Sequence, residues 1–283
     1  MKTNSQQSKL RLLLAAICLS TSGATICRAQ DDASAKLPTA AEVIAKYVEV
    51  TGGLEKYKAL KSLKQTGTLS IPAAGINGTM EVQVASPDKV LMAVELPGAG
   101  NESTGSNGET VWSDSTMSGT RLLVDKEAEQ TKREADFRRM YDPASVYKSL
   151  EVTGIEDVEG EKCYELKITK NDGDTQMEYY SVKSGLQTKA ISTAQSAMGP
   201  MEIESIAGEY KEFGGIKFPT KMTQKLPNGM EMVVEFSEIV VNPELPADTF
   251  ALPEKIQKLV EKQQEKAPAA ESGDQAKKVK GGR

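Results

Sequence analysis

The chain has 283 residues, a formal net charge of −5 and no histidine. The missing histidine excludes Ser-His-Asp and Cys-His catalysis and histidine-ligated zinc, and Cys163 is the single cysteine beyond residue 29. The acidic balance disfavours a nucleic-acid groove, which needs clustered Lys and Arg. We therefore expect no metal site and no nucleic-acid partner. An enzyme would have to work with carboxylates, Lys, Tyr or a cofactor, and we predict a protein with no cofactor and no enzymatic activity.

Residues 1–29 have the composition of a signal peptide. A basic stretch precedes the apolar run Leu12–Leu19, which is too short to cross a bilayer. Ala29 is a small residue that suits the position before cleavage, so the mature chain should begin at Gln30. Lipid attachment at Cys18 or Cys27 is less favoured, because an isoleucine precedes each. We expect an exported protein, periplasmic or extracellular, with no transmembrane segment in the mature chain.

The first predicted element is a helix that begins after Thr39. Thr39 and Glu42 have the spacing of a capping box, and an apolar stripe follows. Gly52 lies where a C-terminal cap favours glycine, and Leu54–Leu60 predicts a second, shorter helix. A phosphate-binding loop would need a strand before its glycines. Here a helix precedes Gly52, so the glycines indicate a turn between helices.

The rest of the chain is predicted to be mostly strands. A first strand is predicted to begin near Ser62. Residues 79–98 and 109–125 each predict two strands, residues 163–241 predict six more, and residues 126–150 are helical in composition with a break at Asp142-Pro143. Turn sequences such as Asn228-Gly229 join neighbouring strands. Regular hairpins without βαβ alternation predict a large antiparallel meander.

One face of this predicted sheet is apolar along several strands, and two or three short helices cannot cover it. We expect an α+β, mainly β, fold: a large curved antiparallel sheet that forms an incomplete (half) barrel, with an N-terminal helical pair and a middle helix as lid. The uncovered part would be an apolar groove, where pliable methionines suit varied ligands. An ordinary filled core is the alternative interpretation. The candidate ligand-binding residues are Met80, Val82, Val84, Phe218, Met222, Met230, Met232, Val234 and Phe236.

Six stretches between residues 40 and 253 are similar to the LolA/LolB-like superfamily of outer-membrane lipoprotein carriers, in its divergent branch of exported proteins. The resemblance implies a half-barrel closed by helices, with lipoprotein acyl chains held in its cavity. No individual ligand-handling residue can be matched. The stretches are "AAEVIAKYVEVTGGLEKYKALKSLKQTGTLSI", "GETVW", "GEKCYELKI", "YYSVKSGL", "GEYKEFGGIKFPTKM" and "IVVNPELPADTFALP".

The expected organisation is a signal peptide (1–29), a polar leader (30–38), a LolA-like half-barrel domain (39–253) and a charged tail, partly helical and then disordered (254–283). We expect a monomeric, non-enzymatic carrier in the cell envelope for an acyl chain or a lipoprotein lipid. The alternative is an accessory module with a filled core and no ligand, which binds a protein of an envelope or peptidase complex. An open apolar cavity of ~300 Å³ or more would favour the carrier.

Overall fold

The structure is a computed structural model that describes residues 36–98, 100–194, 199–226 and 229–266. The predicted signal peptide, its cleavage between Ala29 and Gln30, and the polar leader up to residue 35 lie outside these residues. No helix in the described ranges is long and apolar enough to span a membrane.

The described residues form five α-helices, and two short 3-10 turns lie at Pro72–Ala74 and Pro143–Ser145. The helices are α1 (Ala40–Thr51), α2 (Leu54–Lys58), α3 (Asp125–Glu134), α4 (Arg138–Tyr141) and α5 (Glu254–Lys266).

The predicted capping box and helix turn are confirmed. The Glu42 N–H donates to Thr39 Oγ1 over 3.3 Å, and the Thr39 N–H donates to Glu42 Oε2 over 2.7 Å. Gly52 follows α1 at φ +150°, and a Cβ there would lie 2.6 Å from the carbonyl oxygen of Gly215. Lys56 Nζ donates to the same oxygen over 2.9 Å. Gly52 therefore lets the turn between the helices approach a strand hairpin closely.

Thirteen strands are described, and all of their pairings are antiparallel. They are β1 (Ser62–Ile71), β2 (Ile76–Ala85), β3 (Lys89–Leu96), β4 (Gly100–Asn107), β5 (Val111–Ser115), β6 (Gly119–Leu123), β7 (Ser149–Val158), β8 (Glu161–Thr169), β9 (Thr175–Ser181), β10 (Gln187–Ala194), β11 (Met201–Phe213), β12 (Ile216–Lys225) and β13 (Glu231–Val241).

The strands form one sheet in the order β6-β5-β4-β3-β2-β1-β13-β12-β11-β10-β9-β8-β7. Two meanders, β1–β6 and β7–β13, meet where β1 pairs with β13. The edge strands β6 and β7 are consecutive in the chain, and α3, α4 and the second 3-10 turn connect them. The sheet is not closed into a barrel. The predicted fold class, with N-terminal and middle helices, is confirmed.

Sequence reasoning missed two of the strands, β4 and β7. The β4 sequence "GNESTGSN" has five Gly, Asn and Glu residues among its eight, and these residue types are depleted in strands. Strand β7, "SLEVTGIEDV", begins inside the stretch that was predicted to be helical and carries three acidic residues. Both strands form because a neighbouring strand offers its hydrogen-bonding edge, which is a tertiary effect.

The main core lies between one face of the sheet and the helices. Tyr57, Leu166 and Ile216 are fully buried there, and Tyr47 of α1 contacts Tyr180 of β9 edge-on with ring centroids 5.5 Å apart. We call this covered side of the sheet the inner face. The helices and the sheet thus bury a shared apolar layer.

Helix α5 lies against β6, and its Ile256 is fully buried. Lys255 Nζ pairs with Asp114 of β5 over 3.1 Å. Asp114 and buried Trp112 are two residues apart on β5, so both project from the face opposite to buried Val111. The predicted boundary at residue 253 stays a prediction, although the first 13 residues after it form this docked helix.

Candidate functional site

The strand register brings most of the predicted ligand-binding residues to one face of the sheet. Met80 lies opposite Gly67 of β1, and Gly67 lies opposite Phe236 of β13. On the next strand pair, Met222 of β12 lies opposite Val234. The alternation of each strand then places the remaining members on the same inner face.

Burial differs along this face. Val84, Phe218 and Val234 are buried, at 5%, 4% and 5% exposure. The other six are half-buried: Met80, Val82, Met222, Met230, Met232 and Phe236. Met230 precedes β13, and its carbonyl accepts a hydrogen bond from the Leu226 N–H. Ligand binding by these nine residues stays a prediction.

A cavity of about 750 Å³ lies elsewhere, beside α1. Its lining comes from α1 and its cap, from Gly53 and Leu54, and from residues 141–144 and 147–150. We call it the lateral cavity. None of the nine predicted residues lines it. Its volume falls within the range of ligand pockets in proteins.

The buried apolar residues of helix α1 belong to the core, and two of them, Ile44 and Val48, also border the lateral cavity. Val43 and Tyr47 pack into the core, with Tyr47 against Tyr180. The neighbouring side, with Ala41, Ile44 and Ala45, lines the lateral cavity together with Val48. Ala41 and Ala45 are exposed, because small side chains leave this side of the helix open. The alanines were the available sequence signal, but alanine is so common in helices that it did not stand out.

The end of the cavity that residues 141–150 form is rich in hydrogen-bond donors. Lys148 is exposed and makes no ion pair with a described residue. The hydroxyl groups of Tyr141, Tyr147 and Ser149 make no hydrogen bond to any residue in the described ranges. Burial raises the pKa of Tyr147 to about 12, so its hydroxyl keeps its proton at neutral pH. The end therefore offers one cation and three uncommitted hydroxyl groups.

Two carboxylates also line the lateral cavity. Glu49 is paired with Lys46, with 3.1 Å between Oε2 and Nζ. Asp142 is exposed and has no ion pair within the described residues. The two carboxylates and the two ammonium groups of Lys46 and Lys148 give a local net charge of about zero. The positions of these charges, rather than the net charge, must therefore decide which ligand fits.

A second set of polar side chains, centred on Glu178, lies on the inner face below the helices. Glu178 of β9 accepts hydrogen bonds from Tyr180 Oη (2.6 Å) and Gln176 Nε2 (2.8 Å). Burial raises the pKa of Glu178, and the hydrogen bond from Tyr180 and the charge of Arg139 on α4 oppose this shift. Arg139 is paired with Glu134 at 3.0 Å, while its Nε is buried without a protein partner. The space between α1, α4 and β9 thus holds protein side chains.

A smaller cavity of about 220 Å³ lies on the other side of α1, between Lys46 and Tyr164. Across the described residues, no group of three or more His, Cys, Asp or Glu side chains could hold a metal ion. The lateral cavity is about three times as large as this smaller one.

The chain matches one family profile and several solved structures. The family profile "Domain of unknown function (DUF4412)" matches residues 124–256. No curated protein matches the chain. A DUF1329 family protein from Desulfovibrio piger has 12% identity and a TM-score of 0.50 over 74% of this chain and 95% of its own. A LolA superfamily protein from Nitrosomonas europaea has 16% identity and a TM-score of 0.49 over 76% and 99%.

The likeness to the DUF1329 family protein is one of fold alone. A LolA superfamily protein is among the structural neighbours.

Proposed function

We propose that this protein is an exported, non-enzymatic carrier that binds an acyl chain in the cell envelope. The observation that carries the proposal is the lateral cavity, an open apolar space of about 750 Å³. Its floor is formed by aliphatic side chains such as Ile44, Val48 and Leu150. A hydrocarbon chain would gain roughly 0.8 kcal/mol for each methylene group that it buries there.

The half-buried methionines of the inner face support the proposal as a second apolar surface. Met80, Met222 and Met232 retain partial exposure on a face that also carries buried residues such as Val84 and Val234. A long ligand could extend burial over these flexible side chains.

A ligand-free accessory module is the second candidate, and the filled core favours it. Phe218 and Ile216 are almost fully buried beneath α1, so the half-barrel interior is occupied by side chains at that end. In this case Leu54, which is 41% exposed beside the lateral cavity, would contact a protein rather than a lipid.

The test is binding of the uncharged fluorescent probe N-phenyl-1-naphthylamine to the full-length mature protein. We expect saturable fluorescence enhancement that hexadecanoate reverses. An absence of saturable binding would contradict the carrier and leave the accessory module.

A pair of variants tests whether the probe binds on the inner face or in the lateral cavity. Met232→Glu introduces a carboxylate on the half-buried inner face, and Val240→Glu introduces one on the opposite, exposed face of the same strand. A ligand on the inner face predicts weaker probe binding in Met232→Glu alone, with a modest loss of thermal stability. An unfolded Met232→Glu protein would instead identify an ordinary core, because a buried unpaired charge is very costly.

A further inference from the structure

We infer that the lateral cavity binds a single-chain amphiphile with an anionic head group, its chain lying along α1 and its head at Lys148. This inference rests on the carrier function proposed above and narrows it to one ligand class. It also places the ligand beside the half-barrel rather than inside it.

The half-barrel interior next to α1 is already filled. Tyr47, Tyr180 and Ile216 are buried between the helix and the sheet, and Glu178 with its hydrogen-bonded neighbours occupies the adjoining strand. Several acyl chains could enter there only by displacing this layer. The lateral cavity is open space that borders α1 and needs no such displacement.

The size of the lateral cavity fits one chain. Its volume is about 750 Å³. At roughly 30 Å³ for each methylene-sized unit, the share of a water molecule in the liquid, the cavity holds about 25 units. A chain of about 16 carbons with a small head group fits that number, while the roughly 48 chain carbons of a triacylated lipid exceed it about twofold.

Small residues create the space along the helix. Ala41 and Ala45 lie one helical turn apart on α1, and Gly53 and Ala144 continue the lining beyond its end. A larger side chain at position 45 would project into the cavity without disturbing the buried side of α1, because Ala45 is exposed.

The donors at one end indicate the charge of the head group. Lys148 supplies a cation with no protein partner among the described residues, and Tyr141, Tyr147 and Ser149 line the same cavity with hydroxyl groups that make no hydrogen bond to a described residue. A carboxylate or a phosphate accepts hydrogen bonds from ammonium and hydroxyl groups. Because the Glu49 charge is offset by Lys46, Asp142 is the one lining carboxylate that would oppose such a head group.

The experiment measures displacement of N-phenyl-1-naphthylamine from full-length mature protein by hexadecanoate, by 1-hexadecanol and by a triacylated lipopeptide. Hexadecanoate should displace the probe most strongly and the lipopeptide should fail. Ala45→Leu should weaken hexadecanoate binding at least tenfold. The matched control is Gln264→Leu at an exposed position of α5, which should bind as the wild type does.

Charge variants test the head group. Lys148→Gln should weaken hexadecanoate about fivefold, as expected for a partly exposed charge contact, and leave 1-hexadecanol unchanged. Asp142→Asn should strengthen hexadecanoate alone.

The outcomes separate the two proposals. Saturable probe binding that Ala45→Leu does not affect would overturn the lateral site and leave the carrier function. Displacement by the lipopeptide as strong as that by hexadecanoate would overturn the single-chain class. Equal effects of Lys148→Gln on the acid and the alcohol would overturn the anionic head group. A wild-type protein that binds no probe would overturn both proposals.

Discussion

Glu178 shows how a single residue can depart from the pattern of its strand. Carboxylates on antiparallel strands are normally on the solvated face. Glu178 instead shares the inner face with Gln176 and Tyr180, which are two residues before and after it on β9. Its neighbours across the sheet are Leu166 and Ala190. Burial of the charged form costs free energy, which is why the pKa of Glu178 rises in spite of two hydrogen bonds.

This raised pKa predicts a specific pH dependence of stability. The folded protein binds the Glu178 proton more tightly than the unfolded chain, so the stability that Glu178 contributes is complete below the unfolded pKa of about 4.3. It is lost as the pH rises through the folded pKa. Glu178→Gln removes the titration, so we expect the variant to gain stability relative to the wild type as the pH increases from ~4 to ~7.

The measurement is urea unfolding of both proteins at several pH values, followed by fluorescence of Trp112, the one tryptophan of the chain. Carboxylates with lowered pKa values, such as Asp174 and Glu204, titrate in both proteins and cancel in the difference. A stability difference that does not change with pH would contradict the interpretation of Glu178.

At the scale of elements, two β-bulges contain a glycine in different surroundings. The β1–β13 register shifts between Thr66 and Gly67, and the β7–β8 register shifts between Val152 and Gly154. A Cβ at Gly67 would overlap the carbonyl oxygen of Glu235, whereas a Cβ at Gly154 would meet no atom within 4 Å. The bulge at the junction of the two meanders therefore depends on glycine for close backbone approach.

The two glycines form a matched pair of substitutions. Gly67→Ala should lower the free energy of unfolding by about 2–3 kcal/mol, because strand backbone has to move. Gly154→Ala should change it by less than about 1 kcal/mol in either direction. Urea unfolding of the two variants checks this, and equal losses would mean that the bulge at β1–β13 can relax.

For the molecule as a whole, α5 is a helix that follows the predicted boundary at residue 253 and packs against β6. Ile256 is fully buried, and Lys255 joins the helix to β5 through Asp114. The exposed ion pair contributes little, so most of the stabilisation should come from the burial of apolar side chains.

Two truncations test the role of α5. A chain that ends at Pro253 should lose at least about 2 kcal/mol of unfolding free energy, the lower end of the cost of deleting one buried isoleucine side chain. A chain that ends at Lys266 keeps every described contact of α5 and should match the full-length protein. Equal stability of the two truncated chains would support a domain that ends at residue 253.

Local patterns in the sequence determined much of this fold. The capping residues Thr39 and Glu42, the turn at Gly52 and the alternation along β12 and β13 act over a few neighbours, so they can be recognised in a single chain. The resemblance to the LolA/LolB-like superfamily predicted the unclosed sheet and its helical cover for the same reason, since it rests on these local stretches.

The position of the lateral cavity depends on tertiary packing and could not be predicted from local sequence patterns. Strand alternation put Met80 and Phe236 on one face, but it does not state which part of that face a helix covers. The lateral cavity joins Ala45 of α1 to Lys148, about a hundred residues further along the chain. A cavity is a property of how distant elements pack together, and side-chain volumes that leave it open have no periodic signature in the sequence.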